Sequence, residues 1–169
     1  FTVAPLMNGI GAANYGLTPA QVSVRLLPAS CVALATAMTS GAVMARIGRG
    51  RTVRACVSLI LTGTALLALC MSMGPWVITA AMCFIYAGFG ALFTPIYDTV
   101  FATVAPGQNG RAVAMNDLAM QGSAAIGIGV FTPMLASGAF RAIALVCVIA
   151  AATGIAGDWL HEYLYRRGR

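Results

Sequence analysis

The sequence is poor in charge. Of its 169 residues only 8% are Asp, Glu, Lys or Arg, and lysine does not occur at all. A soluble domain has about 25% charged residues, because much of its surface has to be covered with groups that bind water. The composition therefore excludes a soluble globular domain. Intrinsic disorder is excluded as well, since 60% of the residues are hydrophobic and disordered chains have low hydrophobicity.

Side chains that carry acid–base, nucleophilic or metal chemistry are also scarce. His161 is the only histidine, and the five cysteines stand singly in apolar stretches without a CxxC pair. Ser123 lacks the flanking glycines of a nucleophile elbow. Isolated cysteines of this kind more often fill cores than bind zinc or form disulfides. We therefore expect no enzymatic activity, no metal and no cofactor.

Long charge-free runs are what the sequence has instead. The longest extends from Ala55 to Tyr97, and shorter ones cover Leu26–Ala45 and Leu118–Phe140. A membrane-spanning helix needs about 20 mostly apolar residues. The longest run would be about twice the thickness of a bilayer as a single helix, and Gly74-Pro75 interrupts it. The pattern predicts an all-α, polytopic membrane protein with a hairpin in this run.

The interruptions divide the chain into six apolar segments. They are Phe1–Ala13, Val22–Ala45, Ala55–Met73, Trp76–Val104, Ala112–Ser137 and Ala142–Gly157. The first is too short to cross a bilayer, so we expect five complete transmembrane helices plus one partial helix. Before the second segment, Thr18, Pro19 and Gln21 form the pattern of an N-cap, a first-turn proline and a capping box.

The arginines predict an orientation, because cytoplasmic loops of membrane proteins are enriched in positive charge. If the 46–54 loop is cytoplasmic, alternation of the five spans puts eight arginines on that side: Arg46, Arg49, Arg51, Arg54, Arg111, Arg166, Arg167 and Arg169. Arg25 and Arg141 remain outside. We expect an integral, multi-pass protein of the plasma (inner) membrane with a cytoplasmic C-terminus. A nucleic-acid partner is not expected, since the Arg-Gly-Arg stretch lies between two spans.

The stretch from Gly41 to Arg51 resembles the cytoplasmic loop signature of the major facilitator superfamily. The matching residues are Gly41, Arg46, Gly48, Arg49 and Arg51. Ala45 stands where the family has aspartate, and Gly50 precedes the second basic residue. In that family a degenerate copy of the signature occurs in the C-terminal half. The resemblance thus implies that residues 1–169 are the C-terminal transmembrane half-domain of a transporter whose N-terminal half is missing.

Three further stretches are similar to drug-exporting members of that family: Gly16–Gln21, Gly110–Asn116 and the small-residue stretch Gly122–Gly129. The resemblance implies a bacterial secondary active transporter that works by alternating access. It implies proton-coupled efflux of drugs or small amphipathic metabolites, with the cytoplasmic loop acting as a conformational latch. Two alternatives stay open: an importer of sugars or organic anions with the same fold, and a non-transporting membrane subunit that packs on partners.

Two carboxylates in apolar segments, Asp98 and Asp117, are candidates for proton coupling. A charge placed within a membrane is costly, so such residues usually face a cavity or a partner. The alternative is structural pairing with Arg46, Arg111 or an arginine of the missing half.

Other polar and small residues suggest a substrate path and helix contacts. The candidates for lining a path for a small-molecule substrate are Arg25, Tyr97, Asn116 and Gln121. Tyr97 belongs to a set of aromatic residues in the fourth segment, for which packing is the simpler role. Glycines allow helices to pack closely in a membrane, and the candidates for this role are Gly88, Gly90, Gly122, Gly127 and Gly129.

Overall fold

The computed structural model describes residues 8–9, 11–12, 15–70, 73–105, 107–136 and 149, without the side chains of residues 68, 103, 131–132 and 134–136. This part of the chain forms four α-helices and contains no strand. They are α1 (Pro19–Ile47), α2 (Arg49–Cys70), α3 (Trp76–Thr103) and α4 (Asn109–Ala136). The all-α class is therefore confirmed for the described residues. The sixth segment, apart from residue 149, and the arginines of the C-terminal tail lie outside them.

The prediction of five complete transmembrane helices plus one partial helix is wrong. Within the described ranges, two helices are long and apolar enough to cross a membrane, Pro19–Ile47 and Trp76–Ala102. The charge-free runs had suggested more spans, but α2 begins inside the basic loop and has three arginines in its first two turns. In α4, amide, carboxylate and guanidinium groups occupy much of the first half.

The capping box predicted for the start of α1 is confirmed. The backbone N–H of Gln21 donates to Thr18 Oγ1 over 3.3 Å, and the backbone N–H of Thr18 donates to Gln21 Oε1 over 3.0 Å. Pro19 occupies the first turn, where its missing N–H costs nothing. These contacts satisfy donors that the first turn of a helix would otherwise leave free.

Gly48 alone separates α1 from α2. Its backbone adopts φ +85° and ψ 155°, a conformation that is essentially restricted to glycine. The N–H of Gly48 donates to the Met44 carbonyl over 2.9 Å, which closes the last turn of α1. Its carbonyl accepts from the Thr52 hydroxyl over 2.9 Å, in the first turn of α2. One residue therefore ends a 29-residue helix and starts the next.

The central helix of the bundle is α3, which packs along both α1 and α2. Gly90 of α3 lies against Ala33 of α1, and Thr94 of α3 bonds to Ser40 of α1. Sequence numbers rise together along this contact, so α1 and α3 are parallel. Gly63 of α2 lies against Ala81 of α3, whereas the earlier residues of α2 meet later residues of α3. The antiparallel α2 thus returns the chain to the end at which α1 began.

Two ends of the bundle follow from this arrangement. The Gly48 end contains the α1–α2 link, the C-terminus of α3 and the N-terminus of α4. The Thr18 end contains the N-termini of α1 and α3. The core lies toward the Thr18 end, where Val22, Ile78 and Met82 have no exposed surface.

The outer faces of α1 and α4 are apolar. Met38 is 78% exposed on α1, and Leu118 and Ile126 are 72% and 70% exposed on α4. Large apolar side chains in such numbers on the surface indicate a lipid or protein environment, because water would oppose their exposure. This agrees with the presence of two helices capable of crossing a membrane.

Candidate functional site

A cleft of about 580 Å³ opens at the Gly48 end between α1, α3 and the start of α4. Its walls are mostly apolar, with one carboxylate and two hydroxyl groups. The lining residues are Met44, Phe93, Thr94, Tyr97, Asp98, Phe101 and Val113. Met44 belongs to the stretch that resembles the transporter loop signature, so that stretch borders the cleft. Small-molecule sites are commonly clefts of this size, with apolar walls and a few polar groups.

One wall of the cleft is a ladder of aromatic rings on α3. Phe89, Phe93, Tyr97 and Phe101 recur every four residues and therefore share one helical face. The Phe89 and Phe93 rings meet edge to face with centroids 5.0 Å apart. The centroid separations from Phe93 to Tyr97 and from Tyr97 to Phe101 are 6.2 and 6.1 Å, with nearly parallel planes. Three rings of the ladder, those of Phe93, Tyr97 and Phe101, line the cleft and give it an apolar wall.

The carboxylate of Asp98 forms an ion pair with Arg49 at the edge of the cleft. Arg49 Nη1 lies 3.9 Å from Asp98 Oδ2, and both side chains are 52% exposed. Arg49 was not among the pairing partners expected for Asp98, although it belongs to the loop signature. Such an exposed pair contributes about 0.2–1 kcal/mol. It links the start of α2 to α3 weakly enough to break and re-form.

Asp117 contacts the same ladder from the opposite helix. The Tyr97 hydroxyl donates to Asp117 Oδ1 over 2.8 Å, and Asn116 lies beside that hydroxyl. The Asn116 amide also donates to Met120 Sδ over 3.6 Å. Gln121 is exposed one turn further along α4. Two of the residues expected to line a substrate path, Tyr97 and Asn116, are thus brought together with Asp117, a candidate for proton coupling.

The remaining signature residues surround the link between α1 and α2. Arg46 and Arg51 are exposed on either side of Gly48. Gly41 lies on an open part of α1, where a Cβ would meet no atom within 4 Å. The structure explains the residue type at two of the five positions. Gly48 has a backbone conformation reserved for glycine, and Arg49 forms the ion pair with Asp98.

The predicted packing glycines divide into two groups. A Cβ on Gly88 would lie 2.7 Å from Ile60 Cγ1 and would also collide with the Cys56 carbonyl of α2. A Cβ on Gly90 would lie 2.8 Å from Thr36 Oγ1 and collide with the Ala33 carbonyl of α1. Gly122 and Gly129 of α4 lie in open space, and Gly127 is partly buried. Close helix approach therefore occurs at α3 in the described part of the chain.

A polar contact that the sequence did not indicate stands behind the cleft. The Ser40 hydroxyl, which is buried, forms a hydrogen bond with Thr94, a lining residue. This bond ties the apolar middles of α1 and α3 together and fixes the rear wall. Single hydroxyl residues in an apolar run give no signal of such pairing, because their partner lies 54 positions away.

Arg25 lies at the Thr18 end, far from the cleft. Its guanidinium carbon is 5.0 Å from the centroid of the Trp76 ring, a cation–π contact between α1 and α3. Its Nη1 atom is buried and has no hydrogen-bond partner. Arg25 therefore does not belong to the same site as Tyr97, Asn116 and Asp117. Burial raises the pKa of the Tyr15 phenol, which packs on the core at this end, so that side chain stays neutral.

Among the described residues there is no group of three or more His, Cys, Asp or Glu side chains that could hold a metal ion. Comparison of the chain with protein-family models, with curated proteins and with solved structures gives no match. The cleft and the basic stretch that borders it are therefore the features of the chain that point to a function.

Proposed function

We propose that this chain is part of a secondary active transporter of the major-facilitator type, which exports amphipathic drugs or small metabolites in exchange for protons by alternating access. The observation that carries the proposal is the position of the cleft. An aromatic wall, two carboxylates and a basic stretch that resembles the family's loop signature meet at one end of a bundle with two apolar, membrane-length helices.

The cleft suits an amphipathic molecule. The rings of Phe93, Tyr97 and Phe101 offer apolar area, while Asp98 and Thr94 offer polar contacts at its rim. Binding between aromatic side chains and a few polar groups tolerates variation in ligand shape, which is a requirement for a carrier of diverse compounds.

The pair Arg49–Asp98 supports a latch at the loop. The exposed charges are held by an interaction of at most about 1 kcal/mol, so the energy of substrate or proton binding is sufficient to open it. Protonation of Asp98 would remove its charge and release Arg49. Protonation of Asp117 would change the partner of the Tyr97 hydroxyl. Either event alters a contact that joins two helices, as coupling between a proton and a conformational change requires.

The proposal includes a location in the inner membrane, with several crossings and with the basic stretch 46–54 and the C-terminus in the cytoplasm. Since α1 and α3 are parallel, the chain has to return between them, and α2 brings it back to the Thr18 end. The arginines near Gly48 agree with a cytoplasmic position of this end. The lipid bilayer, the small-molecule substrate and the proton are the proposed partners, together with an N-terminal half in the same protein.

The test is an efflux measurement in cells that lack their own exporters. Cells that express the complete protein containing this chain are loaded with a fluorescent amphipathic dye, and efflux is started with an imposed proton gradient. We expect dye export by the complete protein, and at least a tenfold slower rate for Asp98→Asn or Asp117→Asn if the respective carboxylate carries the proton.

The controls distinguish a loss of dye export from a loss of its coupling to protons. Gln108→Ala removes an exposed amide in the turn before α4 without changing charge, so its export rate should stay within about twofold of the parent. Unchanged proton-driven export in both aspartate variants would contradict the coupling role. Export by residues 1–169 alone would contradict the view that they form one part of a two-part carrier, and absence of export by the complete protein would contradict the transport function.

A further inference from the structure

The Thr18 end contains a positive charge without a partner. Arg25 Nη1 is buried and makes no hydrogen bond, although the guanidinium is held in place by the Trp76 ring 5.0 Å away. A buried charged donor that has lost water and gained no acceptor is destabilising. In a structure whose other buried hydroxyls mostly find carbonyl partners, this donor requires an explanation.

No carboxylate of the described residues can serve as its acceptor. The two in this part of the chain, Asp98 and Asp117, lie at the Gly48 end. The parallel helices α1 and α3 both begin at the Thr18 end and direct the positive ends of their dipoles toward it. The electrostatic environment of Arg25 therefore favours an anion.

Two further unpartnered polar atoms lie at the same end. Thr79 Oγ1 is buried without a hydrogen bond, one turn after Trp76 on α3. Asn8 Oδ1 is also buried and unpartnered. Asn8 precedes Gly11 by one turn, and a Cβ on Gly11 would lie only 2.6 Å from Val22 of α1, so this segment packs on the start of that helix. The guanidinium, the hydroxyl and the amide all have free hydrogen-bonding capacity.

We propose that Arg25, Thr79 and Trp76 form a binding site for a phosphate group at the Thr18 end of the bundle. Phosphate oxygens match the planar donor fork of arginine. The Thr79 hydroxyl donates a further hydrogen bond, and the Asn8 carbonyl oxygen accepts from a hydroxyl on or next to the phosphate. Trp76 fixes the plane of the guanidinium. The site lies at the opposite end from the cleft and does not depend on the transport function.

Binding can be measured through Trp76. The sequence has two tryptophans, so Trp159→Phe leaves Trp76 as the sole reporter beside Arg25. The chain with this change is placed in dodecyl maltoside micelles, which contain no phosphate, and titrated with inorganic phosphate at constant ionic strength. We expect a saturable change in Trp76 emission. A second preparation in phosphatidylglycerol nanodiscs distinguishes a lipid headgroup from free phosphate: a headgroup in the site shifts the emission before any phosphate is added.

The variants are chosen to remove one property at a time. Arg25→Gln removes the charge and should weaken binding by at least tenfold, equivalent to about 1.4 kcal/mol. Arg25→Lys keeps the charge but loses the planar fork, and Thr79→Val keeps the shape but loses the hydroxyl; each should weaken binding about three- to tenfold. Arg111→Gln removes an exposed arginine at the Gly48 end and should leave binding unchanged.

Each outcome decides the proposal. Arg25-dependent emission changes in the micelles or in the phosphatidylglycerol nanodiscs support it and identify the source of the phosphate. The absence of an Arg25-dependent change in both preparations overturns it, as does an equal response of Arg25→Gln and Arg111→Gln. Arg25→Lys and Thr79→Val, checked for helix content by circular dichroism, provide the test if Arg25→Gln does not fold. Because binding is measured at equilibrium on the chain itself, a failure of transport leaves this result unaffected.

Discussion

At Gly88 the backbones of α2 and α3 approach so closely that a side chain has no room. A Cβ there would collide with the Cys56 carbonyl, and a carbonyl in a helix cannot move without disturbing its neighbours. We expect Gly88→Ala to lower the free energy of unfolding by about 1–3 kcal/mol, since overpacking at a rigid contact has costs of this size. The measurement is reversible unfolding in mixed detergent micelles, followed by circular dichroism.

Gly122→Ala is the matched control, because the same methyl group would meet open space on α4. Alanine favours a helix over glycine by about 0.5–1 kcal/mol, so this variant should be neutral or slightly more stable. Equal losses in both variants would show that helix propensity or the detergent, and not the contact with Cys56, determines the effect of substitution at Gly88.

The polar residues that contact each other across helices could be named from the sequence, but the partner of each one could not. Asp98 and Asp117 stand out because carboxylates are rare in apolar segments. That Asp98 meets Arg49, and that Asp117 accepts from Tyr97, depends on the relative register of helices. The contact between Arg25 and Trp76 joins positions 51 residues apart in sequence and has no local signal.

Among the described helices, α1 and α2 are joined by the shortest link. This link is the single residue Gly48, whose backbone has φ +85° and ψ 155°. We expect Gly48→Ala to reduce the free energy of unfolding by about 1–3 kcal/mol, because a Cβ makes this backbone conformation strained. The same detergent unfolding experiment measures it. Crowding plays no part, since a Cβ would meet nothing within 4 Å.

Gly50→Ala provides the comparison two residues later. Gly50 also lies in open space but has an ordinary helical backbone within α2. Its substitution should stabilise the protein by up to about 1 kcal/mol. A loss of stability of similar size in both variants would contradict the special role of the Gly48 conformation.

The positions at which helices begin were easier to predict from the sequence than the ability of each helix to cross a membrane. The capping box at Thr18 and the break before Trp76 are local signals, and α1 and α3 begin at these positions. The basic stretch at 46–54 was expected to be a loop, whereas only Gly48 interrupts the helices there. Arginine is a good helix former, so charge alone does not end a helix. The same arginines belong to α2, so the whole helix is less apolar than the segment from Ala55 onward that was expected to cross the membrane.

For the molecule as a whole, the orientation in the membrane is the property that most needs a direct test. Labelling with a membrane-impermeant maleimide in intact cells suits this purpose, using a variant without the native cysteines. The proposed orientation predicts that Asn14→Cys reacts in intact cells, because it precedes the Thr18 end on the outside. It also predicts that Asn109→Cys, at the Gly48 end, reacts only after permeabilisation.

The total protein and the labelling of both variants after permeabilisation serve as controls for expression and reactivity. Equal labelling of the two positions in intact cells would contradict the orientation and the carrier function built on it. The number of spans shows why a direct test is needed. A charge-free run does not have to coincide with a helix: the run that begins at Ala55 continues a helix that starts at Arg49 and has three arginines in its first two turns.

The single-residue link at Gly48 also has a mechanical consequence. A helix of 29 residues is about 43 Å long. A pivot of about 10° at one end would therefore displace the other end by about 7.5 Å, more than a full helical turn. Such a swing of α1 away from α3 would separate Ala33 from Gly90 and Ser40 from Thr94. Rotation about Gly48 and the release of these two contacts are therefore parts of one movement.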